Sequence, residues 1–170
     1  MRWLFDKKGL KKTTAADVAS FIVHLCNKDE KSGHYRTLQN VKMQKLLYYC
    51  QGYSYYMNQK PLFRDYFEAW PYGPSIPRIH RRFSKYGQND IHSSEGEVDL
   101  PYLTDEEKKI IEHVWDDLGN YNVFALVNAT LLEDPWKLAN EKGTVFITPD
   151  SIHAYFNEIS YLGEEHGKSK

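Results

Sequence analysis

Val41-Lys42-Met43-Gln44-Lys45-Leu46-Leu47-Tyr48-Tyr49-Cys50-Gln51-Gly52-Tyr53-Ser54-Tyr55-Tyr56-Met57 is the stretch on which the fold turns. At about 100° per residue, Met43, Leu46, Leu47, Cys50, Ser54 and Met57 share one arc, flanked by Tyr49, Tyr53 and Tyr56. Only Tyr48 and Tyr55 point clearly backwards, beside Gln44 and Gln51. A helix apolar over most of its circumference has neighbours on more than one side and is therefore central. Asn40 precedes it as a candidate cap.

Working outward, Thr14 and Asp17 form an acidic capping box for a helix carrying Val18, Phe21, Ile22 and Leu25 at helical spacing. Residues 27–37 read as a loop. After the central helix, Asn58-Gln59-Lys60-Pro61 reads as a turn and residues 62–70 as extended chain with a short strand. Pro71-Tyr72-Gly73-Pro74 interrupts any regular element, and Pro74 suits the first position of a third helix bearing Ile76, Ile79, Phe83 and Tyr86, ended by Gly87. A small strand is expected over 99–103. Thr104 and Glu107 make a full capping box for a helix over 105–118, closed by Gly119. A fifth helix is expected over 123–132, a helical turn over 135–140, a brief strand over 145–147, and a last helix from Thr148-Pro149 bearing Ile152, Tyr155, Phe156 and Ile159. The tail from Gly163 is charged and reads as frayed.

The expectation is a mainly α fold: a compact single-domain helical bundle of about six helices with one or two short β-strands. A basic N-terminal extension covers 1–12, the helical domain 13–160 and a charged C-terminal tail 161–170.

Composition narrows the function classes. Lys and Arg number 22 against 23 Asp and Glu, for a net charge of -1, which argues against a general binder of nucleic acid or anionic membranes. No apolar run is long enough to span a bilayer. Cys26 and Cys50 are too few for a disulfide framework, and no secretory signal opens the chain, so a reduced, cytoplasmic setting is expected. The 13 Tyr, 8 Phe and 4 Trp are the unusual feature, placing tyrosine in both packing and binding.

Motifs for catalysis, cofactors and metals do not stand out. There is no glycine-rich phosphate loop or nucleophile elbow, and no two of the seven His are three or four apart, as a helical metal site requires. The chain reads as a non-enzyme without cofactor. Arg78, Arg81, Arg82 and Lys85 recur at i, i+3, i+4 and i+7, either a solvated face or a dock for an acidic partner. Tyr48 and Tyr55 are core residues if a second layer covers them and binding anchors if exposed. Two rivals from other classes are a hydrolase in which Glu68, His80 and His113 converge and a nucleic-acid binder using the same cations.

The order of motifs resembles a known family. Lys42 to Gly52, then Lys60-Pro61-Leu62-Phe63, then Glu68-Ala69-Trp70-Pro71-Tyr72-Gly73-Pro74-Ser75-Ile76-Pro77, Asp134-Pro135-Trp136-Lys137 and Tyr155-Phe156 are similar to the Panacea domain of SocA-like, phage-associated proteins. Its structural motif falls here on Lys45, Leu46, Tyr49, Pro61, Trp70, Gly73, Pro74, Pro77 and Trp136. The resemblance implies an antitoxin that neutralises a cognate protein toxin by direct binding, the toxin being an alarmone-synthetase-like or other translation-inhibiting enzyme. The alternative it carries is an adaptor that delivers its toxin to a protease. For contact residues, Arg78, Arg81, Arg82 and Lys85 come first, and Tyr48, Tyr55 and Tyr72 second.

Overall fold

The computed structural model describes residues 12–91, 93–96 and 100–167, so most of the expected basic extension lies outside the described residues. Helix α1 spans Ala15–Lys31, and its start is the expected reciprocal cap: Asp17 N donates to Thr14 Oγ1 while Thr14 N donates to the Asp17 carboxylate. It runs past the expected loop start, and the chain turns at Gly33, whose φ of 83° suits glycine.

Helix α2, Asn40–Asn58, is the central element, packed against α1, β2 and the later helices. Fourteen of its 19 residues are buried, so the helix is enclosed on nearly all sides. Asn40 does not cap it. Its amide donates instead to the His80 carbonyl at 2.8 Å, and Gln39 precedes the helix without a side-chain cap.

The next segment departs furthest from expectation. Strand β1, Phe67–Trp70, turns through Pro71 and Tyr72 into β2, Gly73–Ser75, with Trp70 opposite Gly73. Pro74 therefore lies in a strand, and helix α3 covers Pro77–Phe83, with Pro77 supplying the missing-donor start. Gly73 at φ 93° allows the reversal, and side chains from α2 take up the Pro74 carbonyl and the Ile76 amide in this extended conformation. A short 3-10 turn, Ser84–Tyr86, extends α3 to Gly87 at φ 56°, and a second covers Ser93–Gly96.

Helix α4, Asp105–Leu118, has the expected Thr104 and Glu107 box; Gly119 follows it, although at φ −61° rather than in a left-handed cap. Helices α5, Val123–Leu131, and α6, Asp134–Glu141, follow. Strand β3, Phe146–Ile147, completes an antiparallel sheet of order β2-β1-β3, pairing Phe67 with Ile147 and Glu68 with Phe146. Residues 100–103 form no strand, and Asp99 lies outside the described residues. The main chain of α7, Pro149–Gly167, stays helical through most of the tail expected to fray. The result is seven α-helices around a small sheet among the described residues.

Tyr48 is fully buried and Tyr55 only 7 % exposed, so both belong to the core and neither is a surface anchor. Burial follows from the second layer. Tyr48 meets Tyr49, Phe67 and Phe156 edge-on, with centroids 5.2 to 5.8 Å apart, and Tyr55 stacks on His153 at 4.9 Å.

Candidate partner interface

The site is positioned by polar groups buried on α2. Gln51 accepts from the amides of Leu62 and Phe63 and donates to the Phe63 carbonyl, replacing for that loop the partners a sheet would give it. Gln44 accepts from Ile76 N, and Lys42 donates to the Gly119 carbonyl at 2.7 Å. Lys45, with no exposed surface, donates to the Pro74 carbonyl at 2.7 Å. Burial without a counter-ion pushes the Lys45 ammonium down to about 7, and burial chiefly lowers Lys42 to about 8.

These anchors hold the Trp70-to-Pro74 corner against the core. A Cβ on Gly73 would fall 2.4 Å from Thr130 Oγ1 and 3.1 Å from Lys45 Nζ, so only glycine allows β2 to lie this close to α5. From α6, Trp136 Nε1 donates to the Trp70 carbonyl at 2.8 Å. Tyr49 donates to Glu133 Oε1 at 2.7 Å and ties α2 to the α5–α6 junction; burial chiefly raises that carboxyl above its usual range. Leu46 is buried, and Pro61 is an exposed turn residue.

The sheet then divides its side chains by alternation. Phe67 and Ala69 face the core, whereas Tyr66, Glu68 and Trp70 occupy the other face with Phe146 from β3. Tyr66 and Phe146 are 63 % and 59 % exposed, their rings 6.3 Å apart. Trp70 is half-buried, donates its indole N–H to Glu68 Oε2 at 2.6 Å and meets His80 of α3 edge-on at 5.0 Å. Burial and the Lys45 charge lower the His80 pKa, favouring a neutral ring at the corner. Tyr72, 66 % exposed, projects from the hairpin turn.

The cation stripe of α3 meets acids within the same chain. Arg78 pairs with Asp65 at 2.7 Å, Lys85 with Glu95 at 2.7 Å and Arg82 with Glu95 at 3.6 Å. Arg82 also donates to Ser20 Oγ and the Ala16 carbonyl, which makes it part of the α1 packing. Arg81 is exposed and its guanidinium has no partner among the described residues. The four positions are thus one free cation, one exposed cation already paired, and two engaged by the Ser93–Gly96 turn.

Glu68 and His80 both touch Trp70, but His113 sits on α4 against Tyr53 and Asp117, so the three side chains hypothesised as a hydrolase site share no partner. Cys50 is fully buried, and burial raises its thiol pKa well above the usual range; Cys26 is pushed up to about 11, chiefly by burial. Neither is an activated thiol. Among the described residues, no three His, Cys, Asp or Glu are grouped to hold a metal, and no helix is long and apolar enough to cross a membrane.

Tyr66 and Phe146 escaped the sequence reading. The alternation Tyr66, Glu68, Trp70, Tyr72 was a usable signal for the first, but only the β1–β3 register brings Phe146 beside it. A second exposed apolar strip was missed as well: Tyr121, Phe124 and Leu132, at 53 %, 72 % and 75 % exposure, mark the outer side of α5 and its ends.

The family model described as "Antitoxin SocA-like, Panacea domain" matches residues 43–137, which run from α2 into α6 and include the whole corner. Among curated proteins, Antitoxin SocA of Caulobacter vibrioides (strain NA1000 / CB15N) is 30 % identical over 118 residues, covering 63 % of this chain and 63 % of that protein. The chain thus matches somewhat under two thirds of that relative's length. No solved structure matches.

Proposed function

The chain belongs to the antitoxin SocA-like, Panacea domain family, and from that membership we propose that it is an antitoxin that neutralises a cognate protein toxin by binding it directly. The toxin in this reading is an alarmone-synthetase-like or other translation-inhibiting enzyme. The observation that carries the binding role is the exposed aromatic surface of the hairpin and sheet, mounted on a helical core by buried hydrogen bonds. Aromatic rings on a rigid support lose little entropy on docking, the property of interface hot spots.

Neutralisation would work by occlusion. A standard interface hides about 800 Å² on each partner, enough to cover an enzyme's substrate cleft. Tyr72 and Arg81 are the first contacts to test, with Arg78 behind them because it must share its charge with Asp65. Arg82, Lys85, Tyr48 and Tyr55 are poor contact residues, being engaged or buried in the fold.

The test is growth rescue. The product of the neighbouring open reading frame is expressed alone and with this chain; toxicity alone and growth together are the expected result. Growth arrest in both, or in neither, overturns the reading.

A further inference from the structure

An antiparallel sheet with one solvated face usually places polar side chains there. Here that face carries Tyr66, Phe146 and Trp70, and among them stands one carboxylate, Glu68. Its Oε2 is held by the Trp70 indole at 2.6 Å, and no cation pairs with it among the described residues. Asp65, three residues before it in sequence, differs in having Arg78 as its counter-ion. Glu68 is a half-buried, oriented acceptor without a counter-ion, framed by aromatic rings.

We infer that this sheet face is where the protein partner docks, and that the partner delivers an Arg or Lys side chain to Glu68. A guanidinium laid there gains a charge-assisted bond to the carboxylate, while the rings of Trp70, Tyr66 and Phe146 supply the electron-rich surfaces that attract cations. The indole N–H fixes the carboxylate in advance, so little rotamer freedom is lost when the cation arrives. A phosphate backbone is the wrong chemistry, because Glu68 repels it at the centre of the patch. The identity of the partner as a toxin rests on the antitoxin reading; the cation-accepting face does not.

Two measurements separate these statements. In the first, the full chain is titrated with N-acetyl-arginine-N-methylamide while the Trp70 indole N–H resonance is followed. A saturable shift is expected, absent in Glu68→Gln and absent with the corresponding glutamate derivative; no shift, or an equal shift in Glu68→Gln, overturns the assignment of the face. In the second, Glu68→Arg and Phe146→Ser are co-expressed with the toxic neighbouring product. Both are expected to weaken capture about tenfold or more with an unchanged melting midpoint, and full rescue by both overturns the inference. If the wild-type chain itself fails to rescue, the antitoxin reading falls while the arginine titration still decides the chemistry of the face.

Discussion

The Lys45 ammonium donates to the Pro74 carbonyl at 2.7 Å across the interior, and no carboxylate pairs with it among the described residues. One buried lysine therefore fastens the central helix to the strand that carries the aromatic corner. The arrangement joins core and surface: the same contact that desolvates the cation places Gly73, and with it Tyr72, at the hairpin turn. Removing a buried charge from water is costly unless it is well paired, so the contact brings placement at a cost in stability.

That cost depends on pH in a defined direction. Lys45 is lowered to about 7 in the folded protein, while the unfolded side chain keeps its proton into the usual lysine range. Between these values the unfolded state binds more protons, so stability rises with pH; below about 7 the penalty is complete and constant. Urea unfolding at pH 7, 8 and 9 should show the wild type gaining about 1 kcal/mol over the first pH unit and approaching about 1.4 kcal/mol over the second, relative to Lys45→Met. A constant difference between the two proteins across that range contradicts the assignment. Lys42, lowered to about 8, adds a similar slope that the comparison cancels.

Helix α2 also approaches α7 closely, and Gly52 is the point of contact. Alanine is normally better than glycine in a helix by about 1 kcal/mol. Here a Cβ would lie 2.2 Å from Phe156 Cζ and 2.3 Å from Cε2, along one edge of a ring that Tyr48 and Tyr49 also touch. Gly52→Ala is expected to destabilise by about 1–3 kcal/mol, as overpacked cores do. Phe156→Leu, harmful in the wild type, should restore part of that loss in the Gly52→Ala background, as a double-mutant cycle in denaturant will show.

The legible parts of the fold were those written in short-range chemistry. Thr14 with Asp17 and Thr104 with Glu107 announced two helix starts, and the apolar arc of residues 43–57 announced the central helix. Pro74 misled because the hairpin pairs it with Ala69 and Lys45, 29 residues away in sequence, takes its carbonyl, neither of which helical spacing reveals. The α3 cations are largely exposed, but spacing did not show that three of them are already paired, because Asp65 and Glu95 are brought to them by tertiary structure. Alternation at Tyr66, Glu68 and Trp70 was visible, whereas the arrival of Phe146 depends on a register nearly eighty residues away.

Two adjacent tyrosines on α2 should respond oppositely to loss of a hydroxyl. Tyr49 donates to the Glu133 carboxylate at 2.7 Å, whereas the buried Tyr48 hydroxyl faces the same carboxylate without reaching hydrogen-bond geometry. Tyr49→Phe is expected to cost about 1.5–3 kcal/mol, the range for a hydrogen bond to a charged group. Tyr48→Phe removes an unsatisfied polar atom while keeping the ring in its edge-on contacts, and should be neutral or slightly stabilising. Equal losses for both variants would place the Tyr48 hydroxyl in the Glu133 network.

Arg81 and Arg82 are neighbours with separable roles. Arg82 donates at 3.1 Å to Ser20 and lies over the Phe83 ring, so Arg82→Glu removes α1–α3 contacts and sets two carboxylates, the new one and Glu95, against each other. Its melting midpoint should fall by several degrees, corresponding to about 1–3 kcal/mol. Arg81 makes no such contacts, and Arg81→Glu should melt like the wild type. Under the proposed antitoxin role, growth rescue against the product of the neighbouring open reading frame then tests the surface itself: protection is expected to fail in Arg81→Glu despite its intact fold. Arg81→Lys, which keeps the charge, should retain most of it. Protection undiminished in Arg81→Glu would remove α3 from the docking face and leave the sheet to carry it alone.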